Sequence, residues 1–530
     1  MQFKIGSLKY LLAVLGGLLA VAAEAAVLRV ATSKEIESLD PVFVDGSEAT
    51  LIAGAMFEGL VTLDAKTARA EPALASSWEI SKDLKKIVFN IRPDAKWSDG
   101  KPVRAADFLF AWKRALSPAT GAYYANLFDI IAGAESFRKG EQKDFSKVGL
   151  QALSPLRLQV TLRTPAAYAL DLFAHPVFLP VREDLVSNAE WLSPGKAVVN
   201  GPFVLTEWKH KQKLTLAKNK NYFNAAAIQL EGVEVFPIES FKTALQMYDA
   251  GQIDWLRRVP AHLVTSLKSR SDFHTGPMLN TVYLRFNVKG QAFADKRLRK
   301  ALSLAIDRQI LAEKVAKEGQ IPAERFSPPG LFSQRQPALL KAHADADMSL
   351  AKDLVAQVRK EKGNIPPVEL LYISDEQSEK VATAISVMLK KNLDLSVSPK
   401  NLERGVFYNK LDTMKHDLAR SSNTANYFDP MSFLEKFTTD NALNNLTGFS
   451  DARFDTLISK AAEETDMQKR EKILAEAEAI LVSDEVAIVP LYHNPSVNMW
   501  KPEVTGLFVN GLDAHPLRAI AVNRAPNQTN

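Results

Sequence analysis

The sequence contains no cysteine, which removes disulfides, thiol catalysis, cysteine-ligated metals and a cysteine-linked lipid anchor together. Histidine is scarce and dispersed. His175, His210, His262, His274, His343, His416, His493 and His515 include no pair three to five apart, the spacing that zinc sites favour. No G-x-S-x-G elbow, H-E-x-x-H helix, Walker loop or G-x-G-x-x-G fingerprint occurs, so the usual motifs for nucleophile, metal or phosphate chemistry are missing. The formal charge of +5 is small for the length and is not gathered into a basic block, which argues against nucleic acid as a partner. The densest acidic run, Glu463-Glu464 with Asp466, reads as a solvated helix end. Internal repeats and low-complexity tracts are lacking. These absences disfavour an enzyme, a metal and a cofactor, and leave binding as the open class of function.

What is present is a chain of 530 residues, 46% hydrophobic and 24% charged, long enough for two or three domains of ordinary globular composition. Residues 1–25 read as a cleavable signal peptide. Lys4 and Lys9 supply the positive start, Leu11–Ala20 is an apolar run too short for a membrane span, and Ala23-Glu24-Ala25 fits small-x-small cleavage. Ala26 is then the mature N-terminus of a free secreted protein.

The segment from Lys85 to Leu116 is the most informative. Ile87, Phe89 and Ile91 alternate with Val88, Asn90 and Arg92, the period of a strand buried on one face. Pro93, Asp99-Gly100 and Pro102 punctuate a turn. Phe108, Ala111, Trp112 and Ala115 then recur at helical spacing, although Val103 or Arg104 stands where Ser, Thr or Asp would cap better. Elsewhere strands are expected at Val27–Ala31, Leu156–Leu162, Phe203–Leu205, Leu214–Leu216, Val233–Phe236 and Val282–Asn287. Helices are expected at Glu48–Phe57, Ser240–Gly251, Met467–Leu481 and, as one long element, Asp295–Val315. Val368–Tyr372, Ser378–Lys391 and Leu395–Ser398 form the clearest βαβ unit. Glu318–Pro337 is a Pro/Gly-rich connector. Strands alternating with helices indicate an α/β chain.

The wording of these segments carries a resemblance. RPDAKWSDGKPVRAADFLFAWKRAL at Arg92–Leu116 resembles the signature region of the periplasmic oligopeptide- and dipeptide-binding proteins, the solute receptors of ABC importers. SLDP at Ser38–Pro41, MFEGL at Met56–Leu60, EPALASSWE at Glu71–Glu79 and NGPFVLTEW at Asn200–Trp208 follow in that family's order. So do Phe286-Asn287, DKRLRKALSLAIDR at Asp295–Arg308 and DEVAIVPLY at Asp484–Tyr492. The resemblance implies a mixed-sheet fold like the type II periplasmic binding proteins, with three lobes and a hinge. It places lobe I in 26–58, 181–282 and 494–530, lobe II in 59–180 and lobe III in 283–493. It implies a monomer that takes a peptide or peptide-like ligand, requires no cofactor, delivers to ABC permease subunits and resides in the periplasm. The fold can equally host an opine, a cell-wall peptide, an oligosaccharide or a metal chelate, and a sensing role stays open.

Relatives hold the peptide as an added strand between lobes I and III, and the resemblance carries several ligand-binding positions over. Asp45, Ser47, Tyr124 and Arg420 match. On the loop LARSSNTANYFDP at Leu418–Pro430, Asn426 replaces the aspartate that pairs with the ligand's α-ammonium, a loss of charge assistance. Asn423 and Thr424 stand where relatives often carry a Trp-Cys pair. Arg285 replaces an acidic residue, and Ser378 and Leu411 replace basic or histidine side chains. The pocket is expected to be more positive on its lobe III side and to favour an anionic or N-blocked ligand. The alternative is that Arg285 pairs with a neighbouring acid and Asn426 is only a weaker amine ligand.

Overall fold

The computed structural model describes residues 26–343, 347–441 and 444–524; the expected signal peptide lies outside them. An eleven-stranded mixed sheet runs through the molecule. One wing holds Val27–Thr32, Phe203–Lys209, Lys213–Lys218, Gly232–Pro237 and Trp255–Arg257, and the other holds Val368–Ile373, Val397–Leu402 and Leu418–Thr424. Two long antiparallel strands, Phe273–Phe286 and Ile488–Trp500, pass through both wings; they are called here the first and second hinge strands.

Between the wings the ladder of the hinge strands is interrupted. Pro277 faces Pro495, and the register then shifts until Thr281 meets His493. Proline has no backbone N–H to donate, so two facing prolines leave a gap in the hydrogen bonding where the sheet can bend. Beside this gap lies a cavity of about 520 Å³ lined in part by Pro277, Met278, Ile321, Pro329 and Pro495.

The segment predicted from its alternation is the strand Lys86–Ile91, with Ile87, Phe89 and Ile91 inward. It belongs to a separate four-stranded antiparallel sheet. The helix Ala105–Leu116 packs its Phe108, Trp112 and Ala115 face inward. Its missing side-chain cap is offset from inside: Asp107 accepts the Arg104 backbone N–H at 2.8 Å and Trp97 Nε1 at 3.2 Å. The Trp112 indole donates to the Phe178 carbonyl at 2.8 Å and stacks on Phe173.

Two expectations need correction. Asp295–Val315 is not one helix. Lys296–Ala305 ends at Ile306, the carboxylate of Asp307 accepts the Ile310 N–H at 2.8 Å to start a new turn, and Leu311–Ala316 is wound as a π-helix. The strand expected at Val282–Asn287 is only the end of a longer one, Phe273–Phe286, and its residues Val282–Phe286 are buried on both faces. The motifs also prove to pack in pairs. Asn200 of NGPF exchanges hydrogen bonds of 3.1 and 3.0 Å with the Glu58 backbone of MFEGL. Buried Arg299 and Arg308 of DKRLRKALSLAIDR donate to the carbonyls of Val486 and Pro490 in DEVAIVPLY at 3.1 and 2.8 Å.

Candidate functional site

The eight predicted positions fall into two groups on opposite sides of the hinge. Asp45 precedes the helix Gly46–Met56 and accepts the Tyr124 hydroxyl at 2.9 Å. Burial and the Asp45 charge both push the Tyr124 phenol up, so it stays protonated and donates. Ser47 supplies its carbonyl to Arg257 at 3.2 Å and its hydroxyl to Glu48 at 3.1 Å.

The second group lies on the strand Leu418–Thr424 and its neighbour, the first hinge strand. Register sets the faces: Arg285 opposes Ala419, Tyr283 opposes Ser421 and Thr281 opposes Asn423. Arg285, Ser421 and Asn423 therefore share one face of the sheet. Arg420 lies on the other face, where it donates to Ser378 Oγ at 2.7 Å and Tyr492 Oη at 3.2 Å. Thr424 is tied to both hinge strands: Asn280 Nδ2 donates to Thr424 Oγ1 at 2.7 Å, and Asn494 Nδ2 donates to Asn280 Oδ1 at 2.8 Å. Asn426 is half-buried, with its backbone N–H on Ser432 Oγ at 2.8 Å. Leu411 is buried in apolar packing with Phe407 and Ala419.

Three features of this region concern polar groups. Val368–Ile373 pairs with the site strand only at Leu418 and Ala419, so among the described residues no strand covers the far edge of Arg420–Thr424. Arg285 is buried and donates to Tyr283 Oη at 2.6 Å, yet its Nε and Nη1 have no partner and it makes no ion pair among the described residues. No neighbouring acid lies within ion-pair distance of it among the described residues. Asn423 accepts a hydrogen bond from Lys436 Nζ, while its Nδ2 and the Ser421 hydroxyl are buried without partners.

The two sides touch. Arg404 reaches Asp45 at 3.5 Å, Tyr168 stacks on Tyr427 with centroids 4.5 Å apart, and Arg69 donates to the Phe428 carbonyl at 3.0 Å beside its ring. Sequence reasoning did not single out Arg404, Lys436, Tyr168 or Tyr427. Each is an ordinary surface or core residue type, and only juxtaposition gives it a part here.

Comparison with known proteins gives consistent results. The family model described as bacterial extracellular solute-binding proteins, family 5 (middle), matches residues 69–445. The dipeptide-binding protein DppE of Bacillus subtilis is 33% identical over 488 residues, covering 91% of this chain and 89% of that protein. The periplasmic oligopeptide-binding protein OppA of Escherichia coli is 32% identical over 481 residues, covering 89% and 88%. Among solved structures, the Escherichia coli murein tripeptide-binding protein MppA superposes with a TM-score of 0.85 at 29% identity, over 95% of this chain and 100% of that one. An unliganded open form of MppA superposes less well, at 0.75 with 29% identity over 95% and 98%.

Proposed function

The chain belongs to the bacterial extracellular solute-binding proteins, family 5, and from that premise we propose that it is the receptor of an ABC importer, closing on an oligopeptide or peptide-like ligand. Lobe I is assigned to 26–58, 181–282 and 494–530, lobe II to 59–180 and lobe III to 283–493. The ligand lies between lobes I and III, and the hinge is the proline-interrupted stretch of the two long strands. The membrane permease receives the ligand from the closed form. No bond is made or broken, and the relatives are likewise binding proteins.

The observation that carries this reading is the uncovered edge of Arg420–Thr424. A sheet edge offers a row of backbone donors and acceptors, and an extended peptide can add to it as one more strand, gaining affinity through main-chain bonds that do not depend on its side chains. Asp45 and Tyr124 face this region from the other side, through Arg404. The better match to one MppA structure than to its unliganded open form agrees with lobes that have closed, and hinge closure is a common response to a ligand.

Isothermal titration with a panel of tri- to pentapeptides, combined with small-angle scattering, tests the proposal. Binding accompanied by compaction is expected. Absence of binding across the panel, with no change in the scattering profile, would overturn it. Residues 1–25 direct the chain to the periplasm without a lipid anchor, so N-terminal sequencing of the exported protein is expected to begin at Ala26.

A further inference from the structure

The face of the sheet that carries Arg285, Ser421 and Asn423 holds more unanswered hydrogen-bonding capacity than a packed interior tolerates. Arg285 is 8% exposed, Ser421 9% and Asn423 7%, and each has at least one buried polar atom without a partner. A buried donor left unpaired has given up its hydration with nothing in return, and a charged one loses most. Such groups are normally satisfied by protein, water or ligand. Here they are gathered on one face of two adjacent strands.

The elements that flank this face both reach the other side of the molecule. At one end the helix Arg404–Asp412 covers Ala419 through Phe407 and Leu411, and Arg404 at its start reaches Asp45. At the other end the segment Met431–Phe437 covers Tyr283 through Phe437. The Glu435 carboxyl there feels the charge of Asp129 from across the cleft, and nearby Tyr427 stacks on Tyr168. The polar face thus lies between two elements that both meet the opposite lobes.

Its charge is positive. Arg285 is the permanent cation and Lys436, bonded to Asn423, is the second. Burial pulls Lys436 down to about 8, and burial together with the Arg285 charge pulls His416 down to about 4. The acid nearest in sequence, Glu435, accepts the Tyr427 hydroxyl at 2.9 Å and is pushed up by burial to about 7.

We propose that Arg285, Asn423 and Lys436, with the Ser421 hydroxyl, form a carboxylate-accepting pocket, so that the preferred ligand is a peptide bearing an acidic side chain over the site strand. This rests on the reading that the protein binds peptides in the cleft. A guanidinium donates charge-assisted hydrogen bonds to a carboxylate, and the Nε and Nη1 of Arg285, on different edges of the group, are both unpartnered. The carboxylate would neutralise the pocket and satisfy the donors that the protein itself leaves without partners.

The test is calorimetric titration, at constant pH and salt, of tripeptides with Glu, Gln or Lys at each position in turn in an alanine background. One position is expected to favour Glu over Gln by tenfold or more, with Lys weakest. Arg285→Met is expected to erase that preference, leaving the Glu and Gln peptides within about threefold of each other, since charge-assisted bonds are roughly twice as strong as neutral ones. Lys436→Met, a change at the pocket margin, is expected to weaken the preference in parallel, which secures the result should Arg285→Met fold poorly. Equal binding of Glu and Gln peptides at every position, or discrimination unchanged in both variants, overturns the pocket while leaving peptide binding intact. Failure of every tripeptide to bind, when longer peptides do, also overturns it. Failure of all peptides of any length removes the underlying reading instead.

Discussion

Gly201 stands where no side chain fits: a Cβ there would lie 2.6 Å from the Met56 carbonyl carbon and 2.7 Å from the Phe57 nitrogen. Both contacts are backbone, so neither can swing aside. Gly201→Ala is therefore expected to lower the unfolding free energy by about 1–3 kcal/mol, the usual cost of overpacking, read from urea denaturation with peptide affinity unchanged in the folded fraction. An unaltered midpoint would show that the two segments separate freely. This position explains why NGPF and MFEGL are read together. One supplies the bare backbone and the other passes against it. The site residues differ in kind. Arg285 and Asn426 were identifiable as departures from the family's pattern, yet whether Arg285 had an acid beside it depended on side chains distant in sequence.

At the scale of elements, periodicity found what was locally decided. Lys86–Ile91 and Ala105–Leu116 each have one buried face, and burial on one face is what alternation or helical spacing encodes. It failed where the environment was two-sided or where a buried polar group overrode the pattern. The first hinge strand is sealed on both faces beyond Leu279. The expected helix at Asp295–Val315 breaks because the Asp307 carboxylate accepts the Ile310 backbone N–H and Arg308 turns inward. There Arg308 donates to Pro490 and Ser303 carbonyls at 2.8 and 3.1 Å, anchoring the second hinge strand. Arg308→Met is expected to destabilise the protein by on the order of 3 kcal/mol, since hydrogen bonds to a charged group contribute about 1.5–3 kcal/mol each. Arg308→Lys, with a single compact ammonium, is expected to recover only part of that loss. A loss under about half a kcal/mol in chemical denaturation would contradict the anchoring role.

At the scale of the whole molecule, contacts between the two sides are few and of unequal worth. The Arg404–Asp45 pair is 3.5 Å long with both side chains substantially exposed, and exposed ion pairs contribute about 0–1 kcal/mol. Arg404→Ala is accordingly expected to weaken peptide binding by less than about fivefold, most visibly at low salt. A hundredfold loss in titration would mean that Arg404 contacts the ligand. Acid should loosen the fold more broadly. Burial holds His175 and His416 down to about 4 and His493 down to about 3. The unfolded chain therefore binds these protons more tightly, and stability present above about pH 6.5 is lost as pH falls toward 4. Glu435, raised to about 7, runs the other way, gaining stability as pH falls from 7 toward its unfolded value, as do Glu58, Asp107, Asp129 and Glu478, which burial also raises. His493→Gln is expected to lessen any loss of urea midpoint between pH 7 and pH 5 relative to the parent protein; an identical pH dependence in the two would contradict the assignment of a neutral buried imidazole.

Residue order alone was enough for most local elements, for the missing motifs of thiol, metal and phosphate chemistry, and for the ordered motifs that mark the family. Each of these depends on neighbours in the chain or on residue types alone. Folding is what leaves Arg285 without an ion pair and one edge of the site strand uncovered among the described residues, brings Asn423 and Lys436 together from other segments, and turns Arg420 away. The reason is register. In a sheet a one-residue change in pairing sends a side chain to the opposite face, and that pairing is fixed by packing between strands far apart in the chain.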